Sequence, residues 1–324
     1  MSPLVDPAIL FFVFGVFAGL VKSNLEIPPA ISRFLSLYLL MALGLKGGFA
    51  LAQSGLTVQV AVSLSLAVFL AMLVPWLSYQ WLRRFLSGFD AAALAATYGS
   101  VSAVTFITAM NHLETHGLAY GGHMAAAMAL MESPAIIFAV LLANRLRSQA
   151  STGSGTSPQR VSMGKVLHES FTDGAQLLLL GAMLIGMVSG EAGRQAMQPF
   201  SGDLFKGMLA FFLLDMGLMA ARNLPGLRGQ SPWLIAYALL APLVHASMAL
   251  GLCWLLSVPQ GDAVLLMVLA ASASYIAVPA VLRYALPEAN PSLYVGLSLG
   301  LTFPFNILLG IPLYARLASG VLGV

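Results

Sequence analysis

Apolar residues run along this chain in long stretches, without the period-two alternation of a strand or the stripe of an amphipathic surface helix. The run from Ala61 to Leu77 is interrupted only by Ser63 and Ser65. A membrane barrel strand alternates over about ten residues, so the pattern argues against a barrel. A spanning helix needs about 20 consecutive apolar residues. Ten segments meet that description, at about 5–21, 31–53, 57–82, 91–112, 121–144, 170–190, 203–222, 232–257, 263–285 and 292–318. The first follows Asp6 rather than a basic region and is read as a retained helix, not a cleaved leader. The expectation is an all-α polytopic membrane protein.

Composition agrees. Of 324 residues, 59% are hydrophobic and 8% charged, with mean hydropathy +0.89. Soluble chains carry roughly 25% charged residues. No stretch is left for a sizeable extramembrane domain, and Cys253, the single cysteine, excludes a disulfide framework. The longest polar stretch, 145–169, contains Ser151-Thr-Gly-Ser-Gly-Thr-Ser157 and reads as a flexible linker. It divides the chain into 1–144 and 170–324, five helices each. The basic residues fix orientation rather than indicate nucleic acid. With the first helix entering from the periplasm, Lys22, Arg33, Arg83, Arg84, Arg145, Arg147, Arg160, Lys165, Arg222, Arg228 and Arg283 all fall on the cytoplasmic side. Only Arg194, Lys206 and Arg316 fall outside, and the positive-inside rule then places both termini in the periplasm and the linker in the cytoplasm of an inner membrane.

The two halves align. Asp90 matches Asp262, and Ser100-Val-Ser102 matches Ser272-Ala-Ser274, all at an offset of 172 residues. Leu43-Gly44-Leu45 matches Met216-Gly217-Leu218, and Glu132-Ser-Pro134 matches Thr302-Phe-Pro304. Because five is odd, the second half enters the membrane inverted, a construction common in secondary transporters. Such carriers bind substrate near the midplane at interrupted helices. Gly99, Ser100 and Ser102 in the fourth segment, and Ser272, Ser274 and Tyr275 ahead of Pro279 in the ninth, mark the candidate interruptions. Exposed N–H groups at half-helix ends attract anions, and the serine hydroxyls add donors. Close packing of small residues is the competing account.

Glu132 places a carboxylate within an apolar run, and Thr302 and Asn306 offer neutral oxygens on the related helix. Together they make a candidate sodium cage, with a structural role for Glu132 the alternative. Lys46 and Asp215, on the second and seventh segments, suggest a buried ion pair or a coupling element. His245 reads as a packing residue or a proton relay. His112, His116 and His123 lack the carboxylates and thiols of a metal cage. Nothing resembles a nucleotide-binding loop or a nucleophile elbow, so the chain reads as no enzyme and needs no cofactor beyond a coupling ion.

Leu40-Met-Ala-Leu-Gly-Leu-Lys-Gly-Gly48, Tyr98-Gly-Ser-Val-Ser102, Ala289-Asn-Pro-Ser-Leu-Tyr294 and Gly310-Ile-Pro-Leu-Tyr314 together resemble the sodium-dependent bicarbonate transporter family, whose best-known members serve the cyanobacterial carbon-concentrating mechanism. The resemblance covers essentially the whole chain. It implies a gate part (helices one, two, six and seven), a moving core, a homotrimer and elevator-type exchange of access. It implies Na+-coupled symport of a small inorganic anion, bicarbonate first, held at Ser100, Ser102, Ser272 and Ser274, and admits a cytoplasmic PII-like regulator. Two departures mark a divergent, non-cyanobacterial branch. Cyanobacterial members carry Asp-Ile-Pro where this chain has Glu132-Ser-Pro134, and an Asp where it has Tyr275. An organic carboxylate or sulfonate carrier and a sodium/proton antiporter are the alternatives.

Overall fold

A computed structural model describes residues 6–55, 57–151, 162, 164, 168, 172–227 and 229–323. Among these the ordered elements are helical, as a bilayer requires of a chain that is not a closed barrel, because every backbone donor must be satisfied internally. They are α1 (Pro7–Leu20), α2 (Pro29–Ser54), α3 (Val58–Leu82), α4 (Gly88–Gly99), α5 (Ala103–Thr115), α6 (Met124–Ser151), α7 (Gly174–Met197), α8 (Phe205–Asn223), α9 (Pro232–Leu255), α10 (Gln260–Ala271), α11 (Ala277–Ala285) and α12 (Pro291–Leu322).

Seven helical stretches among the described residues are long and apolar enough to cross a membrane, where the hydrophobic pattern predicts ten segments. The other expected segments take different forms. The first is the 14-residue α1, and the ninth is split into α10 and α11. The sixth and seventh lie in one helical range of 54 residues, Gly174–Leu227, which turns through a π-helix at Gln198–Asp203. The linker boundary also moves. The expected helix end at 144 is not an end, because α6 continues to Ser151. Arg147 anchors this extension, donating to Glu288 at 2.7 Å and to the Ala285 carbonyl at 2.9 Å. The segment 152–161 lies outside the described residues.

The most extensive packing joins α1 to α8 and α2 to α7. Both pairs are glycine seams. A Cβ on Gly15 would overlap the Leu214 carbonyl oxygen, and one on Gly217 the Phe12 carbonyl oxygen. In the other pair, a Cβ on Gly48 would overlap the Met183 carbonyl, and one on Gly186 would sit 2.7 Å from the Leu45 carbonyl. Hydrophobicity gives no drive between helices in lipid, so such backbone-to-backbone approach is what joins them. These four helices form a scaffold beside a core of α3–α6 and α9–α12, within which α3 packs on α4 and α6, and α9 on α10.

The interruptions fall where the Gly/Ser runs predict. After Gly99, Ser100 is extended (φ −95°, ψ −178°), and the chain turns helical again only after Ser102. After Ala271, Ser272 is likewise extended (φ −79°, ψ 165°), and α11 begins at Ala277. Pro279 sits in the first turn of α11, where its missing N–H costs no helical bond.

Candidate functional site

The two interruptions cross and are tied together. The Ser102 amide donates to Ser272 Oγ at 3.0 Å, and the Ser274 amide donates to the Thr97 carbonyl at 2.8 Å. Each bond satisfies a backbone group that its broken helix leaves without a partner. Ser102 Oγ accepts from the Thr105 amide at 3.2 Å, and Ser274 Oγ accepts from the Val278 amide at 3.2 Å. Ser102 is the N-cap of α5, whereas α11 starts after Ile276 without a side-chain cap and Ser274, two residues earlier, bonds the amide of its second residue.

A cavity of about 220 Å3 opens onto this crossing. Its wall includes Val101–Val104 and Ser274–Ala277, the turns that start α5 and α11. Both positive half-helix ends thus face it, while Gly99 and Ala271, which close the negative ends of α4 and α10, do not line it. Ser102, Ser274, Tyr275 and Glu132 line the cavity. Ser100 and Ser272 are 1% exposed and turned into the protein. Ser272 donates to the Leu269 carbonyl at 2.9 Å and Ser100 to the Glu132 carbonyl at 3.4 Å. Gly99 packs on α3, where a Cβ would come within 2.6 Å of Pro75 Cγ. Tyr275 lies with its hydroxyl 3.7 Å from Met216 Sδ, bringing a scaffold residue over the crossing.

The residues expected to surround sodium are divided between two places. Glu132 lines the cavity, with Ser133 beside it. Thr302 and Asn306 are fully buried elsewhere and their polar atoms are engaged. Thr302 Oγ1 donates to the Ala238 carbonyl at 2.7 Å and meets the Tyr98 hydroxyl at 2.5 Å. Asn306 donates to the Ala271 carbonyl at 2.9 Å, capping the end of α10, and accepts from the Tyr314 hydroxyl at 2.9 Å. A Cβ at Gly310 would stand 2.5 Å from Asn306 Oδ1, so the glycine leaves room for that bond. Pro304 lies between two π-helical stretches, Ser298–Thr302 and Asn306–Gly310; a residue without an N–H loosens the ladder there.

The expected pair between Lys46 and Asp215 is not formed. Lys46 Nζ lies 3.2 Å from Glu114 Oε1 and 4.2 Å from the centre of the Phe205 ring, so α2 pairs with α5 instead. Asp215 lies beside Ser32 and Arg222, and its Oδ2 has no hydrogen-bond partner. His245 is buried in the α9 core beside the Ala270 backbone. His112 and His116 lie ring to ring at 4.2 Å, and His123 reaches Asp262 at 3.3 Å. Among the described residues no group of three or more His, Cys, Asp or Glu could hold a metal ion. The aspartates that open the fourth and ninth segments make matching ties: Asp90 accepts from the Asn290 amide at 2.8 Å and Asp262 from the Gly121 amide at 2.6 Å.

Sequence reasoning did not single out Asp173, Gln176 or Ser133. Asp173 closes the polar stretch as the cap of α7. Gln176 donates to the Ala129 carbonyl at 2.8 Å, joining scaffold to core. The capping position of Asp173 ahead of an apolar run was the available signal.

The family model of the Na+-dependent bicarbonate transporter superfamily matches residues 7–319. No curated protein matches the chain at a significant level.

Proposed function

Because the chain belongs to the Na+-dependent bicarbonate transporter superfamily, a family of transporters and not of enzymes, we propose that it is a sodium-coupled symporter of a small inorganic anion, bicarbonate first, working by elevator-type alternating access. One observation carries the anion reading: the cavity wall holds the N-terminal turns of both broken helices together with Ser102 and Ser274. Ser274 Oγ accepts from the Val278 amide, and Ser102 Oγ from the Thr105 amide and hydroxyl, so each can turn its hydrogen to an oxyanion, Ser102 by giving up the Tyr275 hydroxyl beside it. The cavity, at about 220 Å3, is smaller than the roughly 300–1,000 Å3 of pockets for drug-sized ligands, which favours bicarbonate over a large organic carboxylate or sulfonate.

Ten crossings in two inverted repeats are supported by the matching ties of Asp90 and Asp262 and by the extended breaks at Ser100 and Ser272, 172 residues apart. In this reading both termini are periplasmic, the linker is cytoplasmic, and the cavity opens inward beside the exposed Asp173. At the opposite end of the scaffold–core seam, Lys46, Glu114 and Tyr120 close the outer side. Sodium offsets the anion's charge as the loaded core crosses the membrane barrier, and Glu132 is the core carboxylate that draws it. We assign Thr302 and Asn306 to holding the broken helices in place. Homotrimer assembly and a cytoplasmic PII-like regulator follow from the family resemblance; the outward face of α1, with Phe11, Phe14 and Phe17 exposed, suits contact with lipid or subunits.

The test is uptake of labelled bicarbonate into proteoliposomes with and without an inward sodium gradient, alongside acetate and sulfate competitors. Gradient-dependent uptake that excess acetate and sulfate leave intact is the expected result. Uptake indifferent to the gradient sinks symport, and preferential uptake of a competitor sinks bicarbonate.

A further inference from the structure

We infer that the scaffold supplies the second half of the coupling-cation site: Asp173 and Gln176 on the scaffold face Glu132 and Ser133 on the core, and together they bind a monovalent cation at the inner mouth. The inference deepens the sodium-coupled reading and rests on it. All four residues line one cavity, and among the described residues no Lys, Arg or His does. Asp173 and Glu132 lie within range of each other's charge. Two carboxylates sharing a partly desolvated space repel unless a cation or a proton lies between them.

The oxygens available there are acceptors. Asp173 Oδ1 accepts from the Ala175 amide at 3.0 Å and the Gln176 amide at 3.1 Å, and among the described residues no donor reaches Oδ2. Gln176 uses its amide N–H on Ala129, one turn before Glu132, and among the described residues no donor reaches its side-chain oxygen. Ser133 is 6% exposed and its hydroxyl has no hydrogen-bond partner. Two carboxylates with neutral amide and hydroxyl oxygens form the donor set of a hard cation, and a shared proton would leave the neutral oxygens without a role. Glu132 and Ser133 travel with the core and its cation, while Asp173 and Gln176 complete the cation's shell only where the cavity opens inward.

The experiment follows thermal unfolding of the purified full-length protein as sodium chloride replaces choline chloride at constant ionic strength, without substrate. Asparagine retains the helix cap that Asp173 supplies, so Asp173→Asn removes charge and leaves α7 capped. Sodium is expected to stabilise the wild type, with apparent affinity falling at least tenfold in both Asp173→Asn and Glu132→Gln and no further in the double variant. Wild-type titration by Asp173→Asn overturns the inference, as does equal stabilisation by choline. The readout is independent of transport. Sodium-driven uptake combined with an unaltered Asp173→Asn titration leaves symport standing and removes this site; a two-carboxylate sodium titration with gradient-indifferent uptake does the reverse.

Discussion

The seam between scaffold and core is closed at one end and open at the other, and the two ends are built from different chemistry. At the closed end, α2 meets the turn before α6 with almost nothing between the backbones. A Cβ on Gly122 would come within 2.6 Å of the Gly47 carbonyl oxygen and 2.5 Å of Ala50 Cβ. Lys46 and Glu114 lie over this contact, and Tyr120 donates to the same Glu114 oxygen at 2.7 Å. At the open end, a cavity lies between the core and α2 and α7, lined by Ser36, Glu132, Asp173 and Gln176, with the Gln176 bond to the Ala129 carbonyl bridging it. Backbone contact between small residues has short range and leaves no interdigitated side chains to disentangle. An ion pair with 24% and 31% of its side chains exposed is also a weak clasp. In the proposed alternating-access cycle the seam has to open again, and it is shut by contact that is complete yet cheap to undo, while its open end carries the polar groups proposed to meet the ions.

The largest effect is expected at the open end. Replacing Ser102 and Ser274 together with Ala removes two donors to a charged ligand, each worth about 1.5–3 kcal/mol. Bicarbonate uptake in proteoliposomes should fall at least a hundredfold while the protein remains folded by circular dichroism. Retained uptake would move the anion away from the crossing.

At the closed end, Gly122→Val should strain the seam by about 1–3 kcal/mol, the usual cost of overpacking. A lowered unfolding temperature in detergent checks it, and an unchanged one would mean that Gly47 and Gly122 do not set the approach. A milder break is Lys46→Met, expected to change stability by less than about 1 kcal/mol. Its signature is accessibility instead. A cysteine at Ala280, in the cavity wall, should react faster with an outside, membrane-impermeant maleimide once the clasp is removed, and Lys46→Glu combined with Glu114→Lys should restore the slow rate. Equal rates in all variants would show that the pair does not hold the seam.

The smallest effect isolates a tie that does not cross the seam. The Arg147 guanidinium hydrogen-bonded to Glu288 holds its carboxyl below the usual carboxylate range. With the folded value depressed, the contribution to stability is present above the unfolded value and is lost as pH falls through the folded one. Glu288 is 37% exposed, so screening limits the contribution to under about 1 kcal/mol. Glu288→Gln should therefore lower the unfolding temperature slightly at neutral pH, less at acid pH, and leave maleimide accessibility untouched.

The breaks were legible because Gly, Ser and Pro in mid-span have a local meaning that survives without neighbours. The helix seams at Gly48, Gly186 and Gly217 were not, because a glycine does not say which backbone it will meet. The partner of Lys46 was not, since Glu114 lies on another helix and the repeat alignment pointed to Asp215. Nor was the division of labour among the four serines. All share a residue type and a mid-span place, but a few backbone dihedrals turn Ser102 and Ser274 to the cavity and Ser100 and Ser272 into the protein. Thr302 and Asn306 looked free because their partners, Tyr98, Ala238, Ala271 and Tyr314, come from four separate segments.

By itself, the sequence determined that this chain lives in lipid, where its helices break, and which family it belongs to. Those follow from hydropathy, local backbone preference and motif order, which are properties of single segments. Tertiary structure alone decided that the two breaks cross, which hydroxyls meet the cavity, and that Asp173 joins Glu132 there. Each of these depends on where segments distant in the chain come to rest, and only packing fixes that.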